Sequence, residues 1–222
     1  MATSPASKKL LSALLSGTVL LMGPVGFSGA AKAGQSPNVL NVAAQPDALG
    51  QGALDFVKST AEKGLTFLSN PSSSHEQKKK EFKRLLDNSF DLETIGRFAL
   101  GRYWNAASPT EQKEYQALFR KMVVEVYANR FNDYKGQKFE ARTFRSIGNN
   151  DTLVTSYIVP SDGGTNVQVD WRVRKKNGAY KIVDVLVAGV SMGVTQRSDF
   201  SSVIQRGGGK VDVLIDHLKK DF

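Results

Sequence analysis

The chain has 222 residues, 41% of them apolar, and a mean hydropathy of -0.28, which excludes a largely disordered polymer and leaves enough apolar material for one sizeable core. Cysteine is absent, so disulfides and thiolate chemistry are excluded. The formal charge of +9 favours anionic partners, either nucleic acid or a membrane surface.

The first 33 residues are read apart from the rest. Lys8 and Lys9 precede an apolar run from Leu10 to Phe27, and small residues then end in Ala31-Lys32-Ala33. That order is a secretory signal peptide with cleavage expected after Ala33. A membrane-spanning helix needs ~20 apolar residues, and Gly17, Gly23, Pro24 and Gly26 interrupt this run. Export of the mature chain argues against nucleic acid as a partner. Losing Lys8, Lys9 and Lys32 lowers the charge from +9 to +6. Residues 34–47 hold two prolines and no period, which reads as a flexible linker before a domain at 48–222.

In that domain, Leu54, Val57, Ala61, Leu65 and Leu68 recur at helical spacing, predicting an amphipathic helix over 48–69. After the break at Asn70-Pro71, Phe82, Leu85, Leu86 and Phe90 give a second helix one apolar face, with Lys78–Lys80 on its wet side. Asp91 is placed to cap a short helix carrying Leu92, Ile95, Phe98 and Ala99, stopped at Gly101. Ser108, Pro109 and Glu111 form a helix-start signature, followed by an apolar stripe from Tyr115 through Met122 to Phe131 and a stop at Gly136. The period then becomes two. Residues 138–147, 152–160, 165–176 and 180–190 read as four antiparallel strands, the last pair joined by an Asn177-Gly178 type I′ turn. Helical segments near 197–206 and 210–219 follow, with Gly207–Gly209 as a hinge between them. Helices, then a meander, then helices make an α+β fold with helices on a curved four-stranded sheet.

Catalytic signatures are absent: no HExxH, no GxSxG and no phosphate-binding glycine loop occurs, and His75 and His217 sit apart from any nucleophile or metal-ligand set. No cofactor and no metal is expected. Asp184, inside an apolar strand, is read as pairing with an arginine or facing water at a strand edge, with a general base as the sharper alternative. Arg172–Lys176 reads as a wet strand face beside a turn, with binding of phosphate head groups as the alternative. The unusual feature is surplus apolar surface. The strand at 180–190 is apolar on both faces, and Trp171, Phe90, Phe98, Phe139, Phe144, Met192 and Phe200 add to it. Such residues fill a dense core or line a cavity.

The segments FDLETIGRFALGRYW at 90–104 and GVSMGVTQRSDF at 189–200, with the helix-then-meander order between them, resemble the MlaC or toluene-tolerance family of periplasmic phospholipid-binding proteins. The resemblance implies a nuclear-transport-factor-two-like cone with a deep apolar pocket, no reaction and no cofactor. It further implies a carrier that shuttles phospholipid between an outer-membrane lipoprotein–porin complex and an inner-membrane ABC transporter with a periplasmic substrate-binding ring, helping maintain outer-membrane lipid asymmetry. A hopanoid-associated branch carries the same motifs. Placing apolar faces of the matching segments in the pocket nominates Ile95, Phe98, Ala99, Leu118, Met122, Val167, Val169, Trp171, Val185, Val187, Met192 and Phe200 as lipid contacts. Arg97, Arg102 and Arg197 match motif positions and are read as structural ion pairs with Asp91, Glu93 or Asp199, with partner contacts as the alternative. A small isomerase-type enzyme on a similar cone would need Asp184 or Tyr157 in the pocket.

The physical requirement on a carrier is simple. A diacyl lipid has on the order of 30 methylenes, each worth ~0.8 kcal/mol on leaving water, so crossing an aqueous compartment unaided costs upwards of ~20 kcal/mol. A carrier must replace that contact and needs no catalyst.

Overall fold

The computed structural model describes residues 48–222; the expected signal peptide at 1–33 and linker at 34–47 lie outside the described residues. Helix α1 spans Ala48–Ser69, α2 His75–Ser89, α3 Leu92–Leu100 and α4 Pro109–Ala128. Strands β1 Lys138–Ile147, β2 Asp151–Val159, β3 Val167–Lys176, β4 Ala179–Val187 and β5 Val190–Ser191 follow, then α5 Met192–Arg206 and α6 Val211–Asp221. All strand pairs are antiparallel and the sheet order is β1-β2-β3-β4-β5. Register breaks at Ala141/Thr143 and Arg172/Val173 bulge the sheet, the usual device for curving it.

Capping chemistry sets most helix starts. Ser108 accepts from the Glu111 amide while Glu111 accepts from the Ser108 amide, and Pro109 occupies the first helical position. Asp91 accepts from both the amide and hydroxyl of Thr94, at 2.9 and 2.7 Å. Helix α4 stops at Ala128, earlier than the apolar stripe suggests, and Phe131 sits in a separate 3-10 turn, Phe131–Asp133.

Three expectations are corrected at the β4–α5 junction. The sheet has five strands rather than four, because the chain does not run straight through residue 190. It turns at Ala188 and Gly189, whose φ values are 48° and 80°, and Val190 and Ser191 pair back onto Val187 and Leu186. Helix α5 begins at Met192 rather than near 197. Ser191 caps it by accepting from the Val194 amide at 3.1 Å, and Asp184 accepts from the Ser191 hydroxyl at 2.6 Å and the Gly193 amide at 3.1 Å. Asp184 therefore forms no ion pair with an arginine; half-buried, it orders the start of a helix.

Apolar packing falls into two clusters. In one, α3, α4, α5 and α6 bury Leu100, Tyr115, Phe119, Phe200, Ile204, Leu214 and Leu218. Burial pushes the Tyr115 phenol up, so it stays a donor, and it gives its proton to the Gly96 carbonyl at 2.8 Å. In the other, α1 lies on the sheet through Ala53, Leu54, Val57, Val154, Val173 and Ile182.

Arg172 and Arg174 of the expected wet face hold one carboxylate, Asp151, whose side chain is 7% exposed. Arg174 grips it with two nitrogens, at 2.7 and 2.9 Å, and Arg172 Nε donates at 2.8 Å. Arg174, with help from Arg172, holds the Asp151 carboxyl below the usual carboxylate range against the opposing effect of burial. Because the folded value lies below the unfolded one, this stabilisation is fully present above the unfolded pKa of about 3.9 and is lost as pH falls through the folded value. Replacing Asp151 with Asn should therefore lower stability by about 1–3 kcal/mol at neutral pH. It should also flatten the fall of the urea midpoint below about pH 4. An unchanged acid limb would show that Asp151 is not the group responsible.

Candidate functional site

Between α1, α2 and the concave side of β1–β4 lies an apolar cavity of about 300 Å³. Helix α1 contributes Val57, Ala61, Gly64, Leu65 and Leu68, the stripe that the sequence pattern assigns to a buried face. Phe82 and Leu85 come from α2, Phe131 from the turn after α4, and Phe139, Ile158, Trp171 and Ile182 from the strands. Most of these large side chains are only half-buried, because the cavity rather than protein covers one side.

Aromatic rings order the wall. Phe131 meets Phe82 edge-on at 5.5 Å, Phe67 at 6.1 Å and the His75 ring at 5.8 Å. Phe139 stands edge-on to Trp171 at 6.1 Å. The Trp171 indole N–H donates to Ser156 Oγ at 2.8 Å, and that hydroxyl donates to the Val169 carbonyl at 2.9 Å. With its one polar atom satisfied, Trp171 presents only carbon to the cavity. Burial pushes the Tyr127 phenol up, with Arg130 partly opposing it, so this wall group stays neutral.

Apart from Thr60 and Tyr127, the polar side chains gather in one short segment. Arg130, Tyr134, Gln137 and Lys138 line the cavity from the connection between α4 and β1. Lys138 is exposed and Arg130 half-buried, which places this segment at the mouth. Asp184 and Tyr157 do not line the cavity, and its wall carries no carboxylate or histidine among the described residues. Among those residues no cluster suited to a metal ion occurs either.

Of the twelve nominated residues, Trp171 lines this cavity. Ala99, Met122 and Phe200 are buried in the helical cluster, with Ile95 and Leu118 packed against it. Val169 and Val187 are buried in the sheet at 1% and 5% exposure, and Val185 packs against the α1–sheet cluster. Val167 and Met192 are half-buried away from the wall, and Phe98 is exposed in a separate shallow basin. The wall residues contributed by α1, α2 and Phe131 went unnominated although their periodicity was plain, since a stripe facing a cavity and a stripe facing a core read alike.

Two of the expected partners are not engaged: the three motif arginines form no ion pair with Asp91 or Glu93. Asp91 caps α3 instead. Arg97 lies over the Trp104 ring at 5.7 Å, Arg102 over Tyr103 at 5.0 Å and Arg197 over Phe98 at 5.5 Å.

Comparison with known proteins points one way. The chain is 24% identical over 133 residues to the intermembrane phospholipid transport system binding protein MlaC of Haemophilus influenzae, an alignment covering 59% of this chain and 61% of that protein, so it spans under two thirds of that relative's length. It is 24% identical over 184 residues to the toluene tolerance protein ttg2D of Pseudomonas putida, covering 80% and 82% of the two chains. Its fold matches a phospholipid-binding protein from Ralstonia solanacearum, solved in complex with a phospholipid, with a TM-score of 0.65, 25% identity and coverage of 76% of this chain and 95% of that one. The sequence profile of the MlaC protein family fits residues 58–220, and the chain belongs to that family.

Proposed function

We propose that this protein is a soluble periplasmic carrier that holds a phospholipid by its acyl chains in the cavity between α1 and the sheet. The observation that carries the reading is the cavity itself, about 300 Å³ with an almost wholly carbon wall and its charged groups confined to one mouth. An apolar void of this kind stays dry and accepts apolar ligands. The mouth suits a head group: Arg130 and Lys138 offer cationic donors to phosphate oxygens while the acyl chains point inward. No reaction is assigned to the site.

The volume lies at the lower end of ordinary ligand sites, roughly 300–1,000 Å³, and two acyl chains need more. Loading therefore widens the cavity, and α1 is the element placed to yield, since it forms one whole wall. The family relationship supports transport of lipid between membranes. In this reading the two stations are an inner-membrane ABC transporter with its periplasmic ring and an outer-membrane lipoprotein–porin complex, and the traffic maintains outer-membrane asymmetry.

Native mass spectrometry of the exported protein tests the reading. The expected spectrum shows a chain beginning at Gly34 with about one glycerophospholipid bound, its phosphate distinguishing it from a hopanoid. A chain that carries no lipid after gentle purification, and takes up none from added vesicles, would overturn the carrier assignment.

A further inference from the structure

The end of α3 and the start of α5 meet on a face that shares no residue with the cavity wall. A Cβ at Gly193 would stand 3.2 Å from the Phe98 ring, so the two helices touch there through a glycine. Among the described residues three large apolar side chains are exposed: Phe98 at 43%, Val190 at 43% and Val194 at 56%. Phe98 and Val194 belong to this junction, and Val190 stands two residues before α5. Scattered singly they would need no explanation; gathered together they do.

The same face carries fixed positive charge. A basin of about 370 Å³ is bounded by Arg97, Phe98, Trp104, Asn105 and Arg197. Each guanidinium lies over an aromatic ring, Arg97 on Trp104 and Arg197 on Phe98. Some exposed arginines pair with carboxylates, as in Arg120–Asp87 and Arg142–Glu140, whereas Arg102, like Arg97 and Arg197, lies over a ring. Arg97 and Arg197 form no ion pair with Asp91 or Glu93, the carboxylates of the neighbouring turn of α3. A stacked guanidinium is held in place while its donor fork stays open, the arrangement that receives a carboxylate from outside.

We infer that this junction is a docking surface for a segment of another protein that carries carboxylates beside apolar side chains. The carboxylates meet Arg97 and Arg197, and the apolar side chains cover Phe98 and Val194. The basin is concave, which suits an inserted side chain, whereas a bilayer is met by protruding ones.

The probe is an acetylated peptide, Glu-Leu-Leu-Glu-Leu, titrated into the isotope-labelled protein by NMR. Expected are shifts at the Trp104 indole N–H and at Phe98, Val194 and Arg197, saturating at about millimolar concentration. A twin peptide with Gln for Glu should bind about fivefold more weakly, as should the peptide to the Arg97→Gln, Arg197→Gln double variant, whose lipid occupancy stays unchanged. Circular dichroism checks that this variant is folded. The inference is overturned if the peptide shifts no signal at the junction, if the twin binds equally well, or if phosphatidylglycerol vesicles broaden these signals while the peptide leaves them alone. Because the readout is peptide binding, its failure leaves the carrier reading standing, and an empty cavity leaves this inference standing.

Discussion

Replacing Gly64 with Leu should make the delipidated protein more stable and the carrier worse. Gly64 lies inside α1, where glycine costs roughly 0.5–1 kcal/mol relative to alanine. It faces the cavity, and a Cβ there would meet only the Leu85 side chain, at 3.8 Å, an ordinary contact. A leucine therefore enters open space and gives the wall contacts that it lacks. The melting temperature of delipidated protein should rise by about 2–4 °C, the shift that ~1 kcal/mol produces in a domain of this size. The same side chain takes the place of acyl methylenes. Displacing two or three of them, at ~0.8 kcal/mol each, weakens lipid binding on the order of thirtyfold. Native mass spectrometry reads the occupancy. A raised melting temperature with undiminished lipid would move the acyl chains out of this cavity; a lowered one would mean that the site is already filled.

At Val169 the sign is reversed. Its side chain is 1% exposed, in β3 between Ser156 of β2 and Val187 of β4, and it does not line the cavity. Val169→Trp forces a large ring into closed packing and should cost about 3 kcal/mol, near the top of the range for overpacked sites. In delipidated samples, where lost ligand cannot mimic strain, that corresponds to a fall on the order of 6–12 °C. The folded fraction should keep its lipid. Unchanged melting with lost lipid would place Val169 on the acyl chains instead.

Local chemistry made much of the fold readable in advance. Ser108, Pro109 and Glu111 set the start of α4, and Asn177 and Gly178, at φ 51° and 79°, make the predicted turn. The β4–β5 turn stayed hidden because Ala188 carries no signal for the φ of 48° that it adopts. The start of α5 stayed hidden because its cap depends on Asp184, seven residues before Ser191 and on another strand. The site was less legible still. Val57, Ala61, Leu65 and Leu68 were plain as an apolar stripe, but periodicity reports that a face avoids water, not whether protein or empty volume covers it. Trp171 was nominated and lines the cavity, whereas Ala99, Met122 and Phe200, equally apolar, close the helical core.

The separation of the two apolar clusters bears on how such a protein can diverge. No cavity-wall residue belongs to the cluster that binds α3, α4, α5 and α6 together. Substitutions at well-separated sites combine almost independently. Mutational drift at wall residues outside both clusters, such as Leu65, Leu68 and Phe82, can therefore alter the length or branching of the chains accommodated while the helical cluster goes on supporting the fold, so that at those positions cargo preference and foldability evolve under separate selection.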